Sequence, residues 1–125
     1  LPSGQLMKGV YGAFLEATAA GQYSIDTQTF PFTLPSGLLG VHYIKVRDPT
    51  ITACPGTAEA PNALPGHLCL FEFSNSIRYT DINIFNPANS ANFDLINWRL
   101  GFAVLFTSSA AGLSYIYGSY AVRAQ

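Results

Sequence analysis

Charge is what this chain has least of. Asp, Glu, Lys and Arg together make up 10% of its 125 residues, against about 25% in ordinary soluble domains. A monomer so poorly charged is weakly protected from its neighbours. The net charge is −1 with no basic run or stripe, which excludes a nucleic-acid reader on electrostatic grounds. No apolar run approaches the ~20 residues of a membrane-spanning helix. Two cysteines, Cys54 and Cys69, are too few and too far apart for a CxxC redox pair or a structural zinc site. With only two histidines, His42 and His67, there is no HExxH pair, and GxSxG, P-loop, dinucleotide and DxDxDG patterns are missing too. The residues therefore point to no catalytic centre, metal or cofactor. There is no Asn-x-Ser/Thr sequon. The chain opens on Leu1 without a charged leader, and reads as a fragment or a processed piece.

What is present is strand material. Turn formers recur at short intervals (Gly21, Pro35 to Gly37, Asp48-Pro49, Pro55-Gly56, Pro65-Gly66, Asn86-Pro87, Gly112). The runs between them, roughly 9–17, 24–34, 39–46, 67–73 and 77–85, with two more in 98–124, predict an all-β sandwich or barrel. The length suits a single domain over 1–125. His42, Ile44 and Val46 share a face, as do Ile82 and Ile84. Phe30, Phe32 and Leu34 also align, but Pro31 lacks a donor and implies an edge or a bulge. The one helical suspect, ANFDLINWRL at 91–100, reads equally as a loop or single turn. Leu-Pro-Ser-Gly occurs at 1–4 and again at 34–37, as turn chemistry explains.

The two C-terminal runs are apolar on both faces. Phe102, Val104 and Phe106 oppose Ala103 and Leu105; Leu113, Tyr115 and Tyr117 oppose Ile116, Tyr120 and Val122. A solvated antiparallel sheet is apolar on one face only, so the expectation is a second covering supplied by another copy of the chain. Tyr115 and Tyr117 are read as interface aromatics, with the chain's own core and a carbohydrate platform as the other readings. Trp98 anchors either core or interface.

The polar candidates are few. His42 is expected as a packing histidine within its strand, and His67 near solvent. Glu72, embedded in LCLFEF, is expected to pair with Lys45 or an arginine, since a buried carboxylate must be well satisfied. Cys54 and Cys69 flank a Pro/Gly/Ala-rich stretch; a bridge between them, favoured over two buried thiols, would close the loop and imply an oxidising compartment.

The segments SGQLMKGVYGAF, ACPGTAEAPNALPGHLCLFE and GFAVLFTSSAAGLSYIYGSYAV resemble a C-terminal domain of bacterial, chiefly actinobacterial, collagen-like and tail-fibre-like surface proteins. The pattern from Cys54 to Glu72 is its most specific part. That family is similar to the C1q/tumour-necrosis-factor type of jelly roll. The resemblance implies a homotrimeric β-sandwich head on a fibrous stalk, located extracellularly, on a cell surface or on a virion. It also implies Tyr115, Tyr117 and Tyr120 about the threefold axis; Phe102 and Trp98 are expected in the same interface from their place in the C-terminal strands. A surface receptor or glycan would meet the Cys54–Cys69 loop and the segment 86–97. A stand-alone lectin-like module is the second expectation and a secreted hydrolase the third.

Overall fold

The computed structural model describes residues 2–76, 78–89 and 93–125. Its strands are β1 (Leu6–Ala17), β2 (Tyr23–Thr29), β3 (Gly40–Ile44), β4 (His67–Asn75), β5 (Tyr79–Phe85), β6 (Gly101–Ser108) and β7 (Gly112–Arg123). They form two sheets packed as a sandwich, one in the order β1-β7-β4-β3 and the other β2-β6-β5. The all-β expectation holds, and the two-sheet arrangement is consistent with a jelly roll. All neighbours are antiparallel except β3 and β4, which run parallel. Parallel neighbours need a long crossover, and residues 45–66 supply it.

β1 and β7 pair over twelve residues each, from Leu6 opposite Arg123 to Ala17 opposite Gly112. Beyond them the Gly4 N–H donates to the Ala124 carbonyl at 2.9 Å and the Ala124 N–H to Gln5 at 3.0 Å. Positions 4 and 124 thus lie side by side at one end of the sandwich.

Period-2 alternation decides what is buried. Met7, Tyr11 and Ala13 of β1, Leu68 and Leu70 of β4 and Ile116, Tyr120 and Val122 of β7 point inward. They meet Phe102, Val104 and Phe106 of β6, with Phe30, Leu34, Leu38 and Trp98 closing the core from the loops. Three expectations are corrected here. Phe102, Trp98 and Tyr120 are at most 3% exposed within one chain. Phe102 and Tyr120 meet edge to face across the two sheets at 5.0 Å, and the Trp98 indole donates to the Gly101 carbonyl at 2.6 Å. They belong to the chain's own interior and have no surface to offer a trimer contact.

The second covering of β7 is likewise partly internal. The loop of residues 51–65 folds over the outer face of the larger sheet, and Cys54 is bridged to Cys69 of β4. Cys54, Ala63, Cys69, Phe71 and Ala121 form a small second core beneath it. The Ser119 hydroxyl donates to the Ala58 carbonyl at 2.7 Å, and the Arg123 guanidinium to Ala63 at 2.6 Å and Asn62 at 2.8 Å.

β2 stops at Thr29, two residues before Pro31, and Phe32 is left exposed. β3 stops at Ile44, so Val46 lies in a turn. The helical suspect is one 3-10 turn, Leu95–Asn97, with the Asp94 carboxylate accepting from the Ile96 N–H at 3.2 Å. Ile77, the expected start of β5, and positions 90–92 of the segment expected to meet a target lie outside the described residues.

Candidate functional site

The half of the outer sheet face that the cystine loop leaves uncovered carries four aromatic rings. Phe14 of β1 sits opposite Tyr115 of β7, and Gly12 sits opposite Tyr117. Ring centres are 5.9 Å apart for Phe14–Tyr115, 6.3 Å for Phe14–Tyr117 and 5.8 Å for Tyr115–Tyr117. Phe73 of β4 continues the group at 6.3 Å from Tyr117. All four pairs are close to parallel, within 29°. Gly12 makes room for this: a Cβ there would press on Tyr117 and touch Phe14. Phe14 is 61% exposed and Phe73 55%, so these rings stack on one another while facing water. Val10 and Leu113 are also exposed on this face. Along β1 its charged side chains are confined to the ends, Lys8 and Glu16.

Alternation along β4 puts Phe73 on the outer face with Cys69 and Phe71 and the Glu72 carboxylate between the sheets with Leu68 and Leu70. The register then shifts at a β-bulge between Glu72 and Ser74. Gly118 lies opposite the bulge, where a Cβ would strike the Phe71 carbonyl.

The expected ion pair for Glu72 is not what the structure contains. One carboxylate oxygen accepts from the Tyr43 hydroxyl at 2.8 Å and the Tyr79 hydroxyl at 3.1 Å. The other accepts from the Val46 N–H at 3.3 Å and the Asn75 amide at 2.5 Å. The Tyr11 hydroxyl donates to that of Tyr43 at 3.2 Å, extending the chain inward. Lys45 instead lies over the Tyr79 ring at 5.7 Å. A carboxylate that accepts four donors can be 5% exposed without a cation. Burial, followed by the phenol and carboxylate partners, holds the Tyr43 hydroxyl well above the ordinary tyrosine range. Burial does the same for Tyr11 and Tyr79, with Glu72 adding to both.

The Val46 N–H bond fixes the turn after β3. The Asp48 N–H donates to the Lys45 carbonyl at 3.0 Å, and the Asp48 carboxylate accepts from the Lys45 N–H at 2.9 Å. At the third position of this turn Arg47 takes φ = 72°. It borders two depressions that share Phe73: one of about 420 Å³ toward the cystine loop, one of about 340 Å³ toward Ser74 and Asn75.

His42 and His67 come together on neighbouring strands, with Nε2 of the first 2.9 Å from Nδ1 of the second. Burial, and then the neighbouring imidazole, lowers the His42 pKa.

Of the expected interface residues, the structure brings Tyr115 and Tyr117 together on the open face and sends the other three inside. Phe14, Phe73 and Arg47 were missed by the sequence reading. Alternation through KGVYGAFLE places Val10, Gly12 and Phe14 on one face, a signal for the first of them; no sequence feature marks Arg47. Comparison with protein-family models, curated proteins and solved structures finds no match to this chain.

Proposed function

We propose that this chain is a self-assembling head domain of an extracellular fibrous protein, a homotrimer of C1q/TNF-like type with a structural and presenting role. The observation that carries this reading is the set of near-parallel, uncharged rings on one sheet face, with Phe14 and Tyr117 exposed and Tyr115 half-buried between them. Apolar faces of this kind on soluble proteins mark interaction surfaces.

A second copy is the occupant best matched to it. β1, the edge of the larger sheet, adjoins β2, the edge of the smaller one: the Ser24 hydroxyl donates to the Phe14 carbonyl at 2.9 Å, and Asp26 accepts from the Gly12 N–H at 2.9 Å. Around that corner, on the other sheet's outer face, Tyr23 and Ile25 are exposed. The molecule thus has a wedge with two different apolar flanks. A closed ring needs two different patches, each meeting its complement on the next copy, and three wedges close about a threefold axis. The bridge between Cys54 and Cys69 favours an oxidising location. The neighbouring positions 4 and 124 would let a stalk leave from one end, away from the aromatic face. The resemblance to collagen-like and tail-fibre-like surface proteins points the same way.

Sedimentation equilibrium of the Phe14→Ser and Tyr115→Ser variants tests this. Both side chains are on the outer face, so each variant should fold with an unchanged circular-dichroism spectrum and sediment as a single chain. Trimers that persist in both variants would refute the assignment of this face.

A further inference from the structure

We infer that Arg47 and Phe73 form a binding site for an acidic saccharide, with the guanidinium taking a sugar carboxylate and the Phe73 ring one face of the sugar. The inference adjoins the assembly reading without resting on it: Phe73 stacks on Tyr117 at 6.3 Å at the border of the ring group, and the rest of the site lies beyond it at the β4–β3 side.

The first observation is conformational. Arg47 is the non-glycine residue with a positive φ among the described residues. It stands at the third position of a reverse turn, where that conformation favours Gly or Asn. Residues held in such regions cluster at functional sites, and no contact among the described residues accounts for an arginine there. Its guanidinium makes no hydrogen bond or ion pair among the described residues, and the side chain is exposed. The turn beneath it is rigidly held, by the Asp48 bonds and by the Val46 N–H on the buried Glu72 carboxylate.

The second observation is the surroundings. Val46, Arg47, Phe73, Ser74 and Asn75 line a depression of about 340 Å³, at the small end of ligand-pocket sizes. Phe73 offers an exposed aromatic flank. Ser74 lines the same wall with its hydroxyl, whereas the Asn75 amide is committed to the Glu72 carboxylate. A planar guanidinium forks onto a carboxylate with two parallel bonds, so the ligand chemistry selected is a ring with a carboxylate beside it. The acidic residue of the turn, Asp48, is engaged by the Lys45 N–H; Glu59 lies across the other depression, toward the cystine loop.

The test is calorimetric titration of the intact chain with trigalacturonate and with sialyllactose, set against maltotriose and lactose as their neutral counterparts. The informative variant is Arg47→Gly, which gives the turn the residue its geometry prefers while removing the charge. Binding of at least one acidic sugar, stronger than its neutral counterpart and weakened by salt, is expected. In Arg47→Gly that binding should fall roughly tenfold or more, with Tm unchanged or raised and assembly mass unaltered. Acidic and neutral sugars bound alike, no binding at millimolar sugar, or full binding by Arg47→Gly would each overturn the site. A lowered Tm in that variant would overturn the strain argument that singles out Arg47. Loss of binding in Tyr115→Ser, with Arg47 and Phe73 intact, would show that binding depends on the ring group and so contradict the assignment of the site to Arg47 and Phe73.

Discussion

Glu72 shows how one buried charge is held by neutral donors. The sequence reading expected a cation because the residue between Phe71 and Phe73 was the only acidic group in an apolar run. What it could not supply was tertiary: Tyr43 and Tyr79 lie 29 and 7 residues away, on other strands. Replacing Glu72 with Gln turns an acceptor into a donor that faces donors. Chemical denaturation should show a loss of about 2–3 kcal/mol, while Tyr43→Phe, which orphans the Tyr11 hydroxyl, should lose about 1–2 kcal/mol. The histidine pair gives a pH signature. The His42 pKa is lowered in the fold, so below the ordinary value near 6.5 the unfolded chain binds more protons than the folded one. Stability is therefore full above about pH 6.5 and declines as pH falls toward the folded pKa. Thermal melts between pH 7 and 5 should show that decline, and His42→Gln should flatten it. At the alkaline end the sign reverses. Tyr11, Tyr43, Tyr79 and Tyr120 are all raised by burial, so their stabilisation is present below about pH 10 and lost above it. Ultraviolet titration should show phenolate absorbance arriving together with unfolding.

At the scale of elements, the turn spacing and the alternation in β5, β6 and β7 made the strands legible. The limits were set by proline and by the turns: β2 ends before Pro31, and the Lys45–Asp48 turn cuts β3 short. The parallel β3–β4 pairing has no local signature, since pairing depends on the path of the crossover. The double-faced apolar character of β7 was seen correctly, but its cause is split. Near Arg123 the cover is the cystine loop; near Leu113 the face is open. Alternation tells which residues share a face without telling which face is inside, so Tyr120 and Phe102 were placed outward in error. Two element-level changes follow. The double variant Cys54→Ala/Cys69→Ala should lose about 3 kcal/mol for a loop of this length, and limited proteolysis should then cut within residues 51–65. Gly118→Ala should cost about 1–3 kcal/mol as β4 shifts to relieve the clash with the Phe71 carbonyl; an unchanged denaturation midpoint would contradict that packing.

For the whole molecule, the shortage of charge becomes a matter of geometry. A sandwich has two outer faces, and this chain covers half of one with its own loop. Two apolar flanks meet at the β1–β2 corner, and this wedge is the surface assigned above to the copy contact. The membership of this surface was only half legible in the sequence: Tyr115 and Tyr117 were found, Phe14 was not. The proposal that copies close around this wedge is tested most directly by the mass of the native particle. Light scattering on the purified chain should return three times the 13.4 kDa of one chain, holding steady on dilution. A particle of 13.4 kDa at the highest attainable concentration would contradict the account.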